Sequence, residues 1–237
     1  MDLRDEFIGR VAQGASFADI GGLWGTVNEK VSVAHRHGAG RLAMIDVSTA
    51  ASPWWTAFEE RRQTLGVPPV ECVSADIVQL TAQSHHRQYD VVHCSGVLYH
   101  LPDQMSLLVA LKKLARRHVV LTSVITPTRI ENAEGVLEIP ECGSIFVPAL
   151  ADRERAIVRA HWRQILGDVD AVGLTTDVAR WDTADFAPWW WIPTMSTFLA
   201  MCVSAGFSVQ DAGASWGGYA VTALLAVDEA AGQPAAA

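Results

Sequence analysis

"FADIGGLWGTVNEK", residues 17–30, decides the fold. A short apolar run leads into the paired glycines Gly21 and Gly22, and a stretch with helical spacing follows. Glycine has no Cβ, so a strand that breaks into such a turn lets the backbone approach a ligand closely. In open α/β sheets that crevice lies at the carboxyl ends of the strands. The spacing here is G-G-x-x-G, through Gly21, Gly22 and Gly25, and not the G-x-G-x-x-G of a dinucleotide site. Asp19 stands just before the glycines. A carboxylate there would repel a pyrophosphate and suits a ligand that carries positive charge.

Outward from this turn, strands and helices alternate. "TVNEKVSVAHRHGA" (26–39) has helical spacing and stops at Gly38 and Gly40. "RLAMIDV" (41–47) is a second strand ending at Asp46, and "WWTAFEERRQTLGV" (54–67) a helix closed by Gly66. "VECVSADI" (70–77) is a third strand ending near Asp76, and "YDVVHCSGVLYHL" (89–101) a fourth that breaks at Gly96. "PDQMSLLVALKKLA" (102–115) is a helix with Pro102 near its start, and "RHVVLTSVI" (117–125) a fifth strand. This alternation predicts a parallel sheet covered on both faces. From about 126 to 192 the pattern changes. That segment holds acids, Pro and Trp and one clear helix, "DRERAIVRAHWRQIL" (152–166), and reads as an inserted substrate lid. "TMSTFLAMCVSAGF" (194–207) is a further helix, and "SVQDAGAS" (208–215) and "YAVTALLAV" (219–227) close the sheet as an antiparallel hairpin around "WGG". The 237 residues thus read as one domain with an insertion and a fraying tail at about 229–237.

Half of the chain is hydrophobic, enough for a sizeable core. Its 18 Lys and Arg against 26 Asp and Glu give a net charge of -8, which argues against a nucleic-acid partner. The four cysteines lack C-x-x-C spacing, so neither a zinc signature nor a disulfide framework is read. The stretch "MDLRDEFIGR" (1–10) carries acids and does not read as the apolar core of a secretory signal, and no apolar run approaches the ~20 residues of a membrane span. A reduced, cytoplasmic setting is the expectation, with self-association left open.

Two more acids fall at strand ends. A carboxylate at Asp46 can accept both hydroxyls of a ribose, and Asp76 can accept from an adenine amino group. S-adenosylmethionine fits this set, with an amino group, a sulfonium and no phosphate. "FADIGGLWG", "LAMIDV", "VSADI" and "YDVVHCSGVLYHLPD" together resemble the class I S-adenosylmethionine-dependent methyltransferases. "GVLYHL" and "WWWIPTMSTFLAMCVSAGF" resemble its small-molecule and tRNA wobble-uridine branches. The resemblance implies a Rossmann-like seven-stranded sheet with a reversed final hairpin. It also implies that Asp19 organises the turn and the methionine amino group. Gly21 and Gly22 would face the methionine portion with Trp24 beside it, Gly25 would keep its place in the cofactor-binding turn, Asp46 would face the ribose, Asp76 the adenine, and Ser95 both cofactor and substrate. Leu23 departs from the family, which has a glycine there.

For the chemistry, His100 in "LYHLP" is the candidate base, because an imidazole with an unperturbed pKa of ~6.5 suits proton uptake near neutrality. Its alternative is a histidine that orients the turn. Tyr99 is read either as a substrate donor or as core. In "PWWWIP" (188–193), Trp189, Trp190 and Trp191 cannot all bury on one strand face, so at least one lines a surface, a pocket for a sugar ring or a subunit contact. Trp54 and Trp55 read as packing or a helix start. A Mg²⁺ ion would need oxygen ligands, for which Glu131, Glu134, Glu138 and Glu141 are the available acids, read chiefly as solvated. His85 and His86 read as an exposed connection, and Arg153, Arg155, Arg159 and Arg163 as a solvated helix face. The expected function is O-methylation of a small-molecule hydroxyl, such as that of a sugar or glycoside. Its alternatives are a tRNA wobble-uridine methyl or carboxymethyl transferase and a silent cofactor-binding scaffold.

Overall fold

The computed structural model describes residues 2–24, 28–167, 174 and 188–227. In chain order it runs α1 (Leu3–Val11), β1 (Ser16–Ile20), α2 (Val31–Arg36), β2 (Arg41–Asp46), α3 (Pro53–Thr64), β3 (Glu71–Ser74), α4 (Ile77–Ala82), β4 (Tyr89–Ser95), α5 (Gln104–Leu114) and β5 (Ala115–Val124). The middle segment adds β6 (Arg129–Asn132), β7 (Gly135–Glu138), β8 (Ser144–Phe146), α6 (Asp152–Leu166) and β9 (Trp191–Pro193). Then come α7 (Met195–Ser204), β10 (Phe207–Ser215) and β11 (Ala220–Val227).

Seven strands form one sheet in the order β10-β11-β5-β4-β1-β2-β3, in which β11 runs antiparallel to both neighbours. The strands at its centre are near-continuous apolar runs because both faces are covered. On one face α5 and α7 bury Leu107, Leu108, Leu111 and Phe198. On the other, α1 and α2 bury Phe7, Ile8, Val31 and Ala34 against Phe17, Met44 and Val120. Local chemistry starts the helices as expected. Ser52 caps α3 with Pro53 at its first position, Asp103 caps α5, and Thr194 caps α7.

Several boundaries differ from the sequence expectation. The first helix after the glycine turn covers 31–36 and not 26–39. The third strand ends at Ser74, because Asp76 is the N-cap of the short helix α4, accepting from Val78 N at 2.7 Å. The N-terminal helix α1 was not anticipated; Asp2 caps it and Phe7 and Ile8 anchor it.

The middle segment is more structured than its single expected helix. The pairs β6–β7 and β8–β9 form two small antiparallel sheets. With α6 they enclose a third core of Ile130, Ile145, Ile157, Val158, Trp162, Trp189 and Ile192, which reaches Tyr99 and the end of β5 at Val124. α6 buries Ile157, Val158 and Trp162. Its arginines are not all solvated: Arg155 Nη2 donates to the carbonyls of Val147 and Leu150. Among the described residues, no helix is long and apolar enough to cross a membrane. The tail at 229–237 and most of 168–187 lie outside the described residues.

Candidate active site

The glycine turn begins where β1 ends. Gly21 has φ +73°, and a Cβ on it would lie 2.6 Å from Val97 Cγ2, so the turn is pressed against the chain leaving β4. Gly22 is needed for a different reason. A Cβ there would lie 2.7 Å from Asp19 Oδ2 and 2.8 Å from Met44 Cε. Asp19 is 1% exposed. Its Oδ2 accepts the backbone N–H of Lys30 at 2.7 Å, and its Oδ1 lies 2.7 Å from His93 Nδ1. The carboxylate therefore ties the two ends of the turn together, with both oxygens engaged. Leu23 is fully buried against the α1–α2 core, and its N–H donates to Asp46 Oδ2 at 3.2 Å. A side chain at this position thus leaves the crevice and enters the core. Trp24 is 72% exposed, and Gly25 lies outside the described residues.

The strand-end acids are placed side by side by register. Asp46 closes β2 opposite Ser74 of β3, and β1 pairs with both β2 and β4. Asp46 is buried and also accepts Ser48 N at 2.8 Å through Oδ1. Asp76 caps α4 through Oδ1. Ser95, the last residue of β4, accepts a hydrogen bond from Arg4 Nη1 at 3.2 Å.

Beyond β4 the chain turns at Gly96, φ +79°, into a 3-10 turn over Leu98–His100. The "PWWWIP" stretch runs alongside it: Trp190 N donates to Tyr99 O at 2.8 Å, and Trp191 Nε1 donates to Pro102 O at 3.1 Å. His100 Nδ1 lies 3.1 Å from Pro188 O. A carbonyl only accepts, so Nδ1 carries the proton and a neutral ring has its lone pair on Nε2. The ring of Tyr99 sits 4.3 Å from that of His100 and 4.9 Å from that of Trp189. Burial pushes the Tyr99 hydroxyl well above the ordinary phenol range, so it stays protonated.

The three tryptophans divide. Trp189, 2% exposed, lies edge-on to Trp162 at 4.7 Å and to Tyr99. Its expected place at the substrate is corrected to the core, because its ring fills the space between α6 and the 98–100 turn. Trp190 and Trp191 stay half-buried, and Trp191 stacks obliquely on Phe146 at 4.4 Å.

Four participants had escaped the sequence reading: Arg4, Lys30, His93 and Trp216. A histidine within the apolar run of β4 was the available signal for His93. Trp216 carries φ +50°, the only positive φ on a non-glycine residue among the described residues. It lies at the β10–β11 turn, with the Arg4 guanidinium 5.9 Å from its ring centre. The acids of the middle segment do not converge. Glu131 and Glu138 both pair with Arg129, and Glu141 accepts from Ser196. Among the described residues, no group of three His, Cys, Asp or Glu side chains is placed to hold a metal.

Residues 18–122 match the family described as a methyltransferase domain. No curated protein matches the chain. Among solved structures, magnesium protoporphyrin IX methyltransferase from Synechocystis with bound S-adenosylhomocysteine superposes with a TM-score of 0.56 at 13% identity, over 95% of this chain and 82% of that one. Mitomycin 7-O-methyltransferase gives 0.57 at 13% identity, over 95% and 53%. The 1,6-didemethyltoxoflavin N1-methyltransferase of Burkholderia thailandensis gives 0.56 at 11% identity, over 95% and 77%. At such identities the superpositions speak for the fold: a seven-stranded class I methyltransferase sheet.

Proposed function

We propose that this protein is an S-adenosylmethionine-dependent methyltransferase that methylates a hydroxyl on a small molecule such as a sugar or glycoside, with His100 as the base. The residues present suit the cofactor. A turn intolerant of any Cβ at Gly21 and Gly22, the buried carboxylate of Asp46 beside it, and Asp76 one strand further make a cradle without a phosphate-binding feature. Asp46 would take the ribose hydroxyls, Asp76 the adenine amino group, and the Gly21–Gly22 backbone and Trp24 the methionine end. The cofactor supplies an electrophilic methyl on sulfur.

The chain's own residues then have two tasks. They align a nucleophile with the methyl and keep water away. They also remove the proton of an alcohol, which is a weak nucleophile until deprotonated. The observation that carries the reading is the contact of His100 Nδ1 with Pro188 O. It fixes the tautomer in which Nε2 accepts a proton, on the turn that follows the last residue of β4. The half-buried faces of Trp190 and Trp191 on the parallel stretch suit a flat or sugar-like ring. Mitomycin 7-O-methyltransferase, which shares the fold, is by name an O-methyltransferase. The net charge of -8 favours a small acceptor over a nucleic acid.

The test is incubation with methyl-labelled S-adenosylmethionine and a panel of glycosides, phenols, carboxylic acids and bulk tRNA, each with and without Mg²⁺. Label on a glycoside or phenol oxygen is the expected result. Label confined to tRNA or to the carboxylic acids overturns the reading.

A further inference from the structure

A ring of polar contacts closes around the glycine turn. It starts on β4 at His93, 2% exposed, whose Nδ1 meets Asp19. Asp19 takes the backbone N–H of Lys30. The Lys30 side chain then leaves the turn for the first turn of α1, where Nζ lies 2.8 Å from Asp2 Oδ2 and 2.5 Å from Asp5 Oδ1. Asp2 holds Arg4 through Nε and through Nη2 at 2.6 Å. Arg4 reaches Ser95, back on β4 two residues from where the ring began.

Lys30 is the joint in this ring. Its main chain belongs to the glycine turn and its side chain to α1. Its side chain is 7% exposed, and a cation so deeply placed is tolerated only when it is paired. Asp2 and Asp5 provide that pairing, and the acids in turn suit the N-terminal end of a helix. Neither half is therefore indifferent to the other. If α1 lifts, Lys30 loses both partners; if the turn loosens, Asp2 and Asp5 lose the cation between them.

We propose that Lys30 is a positioning residue for the cofactor. Through Asp19 it sets the glycine turn, and through Asp2 and Asp5 it makes the docking of α1 part of the same binding event. Coupling of this kind is reciprocal, so a ligand at the turn must also hold α1 down. The inference rests on the turn being the S-adenosylmethionine site.

The test combines calorimetric titration with S-adenosylhomocysteine and hydrogen exchange of the α1 amides with and without it. Wild-type protein is expected to bind and to slow exchange across α1 at least fivefold. Lys30→Met is expected to bind at least tenfold more weakly and to lose the ligand-induced protection of α1, and Lys30→Arg to recover both. The double variant Asp2→Asn, Asp5→Asn acts from the half-buried ends of the same pairs and decides the matter if Lys30→Met does not fold. Two outcomes overturn the inference alone: α1 exchange that ignores the ligand in a wild type that binds it, or a double variant that binds like wild type. A wild type that binds no S-adenosylhomocysteine breaks the cofactor reading itself, and the inference with it.

Discussion

The two walls of the proposed site are made from different materials. On the side of β1, β2 and β3 the chain offers backbone and carboxylates: Gly21, Gly22, Asp46 and Asp76. Across β4, the turn at 98–100 and the stretch 188–191 offer rings: His100, Trp190 and Trp191. The first wall depends largely on local backbone geometry: the end of β2 holds Asp46, Asp76 caps α4, and Gly21 turns with a positive φ. The second depends on packing between segments about ninety residues apart, as the His100–Pro188 and Trp191–Pro102 contacts show. A wall of the first kind suits a ligand that does not vary. A wall of the second kind can be rebuilt for a different acceptor without touching the first.

The largest effect expected from separating the walls is at His100. His100→Ala should lower turnover by about 10²–10⁴-fold while the affinity for S-adenosylhomocysteine stays unchanged. Unchanged turnover would remove His100 as the base. Next is Trp189→Ala. Loss of this buried ring should destabilise the protein by about 3–5 kcal/mol in denaturant unfolding, again with cofactor affinity kept in the folded fraction. A loss below ~1 kcal/mol would contradict its place in the third core.

On the first wall, Gly21→Ala meets both the positive φ and the Val97 methyl. It should cost about 1–2 kcal/mol of stability and, unlike the other two, weaken S-adenosylhomocysteine binding at least tenfold. The smallest effect is on pH. Burial tends to raise the Asp2 carboxyl, but the hydrogen bonds and charges of Arg4 and Lys30 outweigh it and hold it well below the ordinary 3.8. A depressed carboxyl contributes stability fully above its unfolded value and loses it as pH falls through the folded one. Wild-type α1 should therefore loosen progressively below about pH 4. In hydrogen exchange, Asp2→Asn should remove part of that acid dependence; an identical pH profile would contradict the pairing.

The contrast between the walls also explains what the sequence made legible. Alternating apolar runs and glycine stops located all seven strands of the main sheet, and the strand-end acids marked its carboxyl edge. Asp76 shows the limit. Its position was evident, but its hydrogen bonds to Val78 N and Gln79 N belong to a helix too short to leave a periodic signal. The second wall was legible only as a cluster of tryptophans. Which of them would be buried depends on α6 and β8, and no local pattern carries that information. Arg4 and Lys30 escaped for a related reason: both act across long sequence separations, and each looks alone like an ordinary surface charge. Leu23 appeared as a defect in a glycine motif. The fold shows a core side chain whose N–H still meets Asp46.

The division of labour is tested most directly by measuring S-adenosylhomocysteine affinity side by side in Asp46→Ala and Trp191→Ala. The account predicts at least a tenfold loss in the first, from the charge-assisted hydrogen bonds removed, and wild-type affinity in the second. Wild-type affinity in Asp46→Ala, or a tenfold loss in Trp191→Ala, would contradict it.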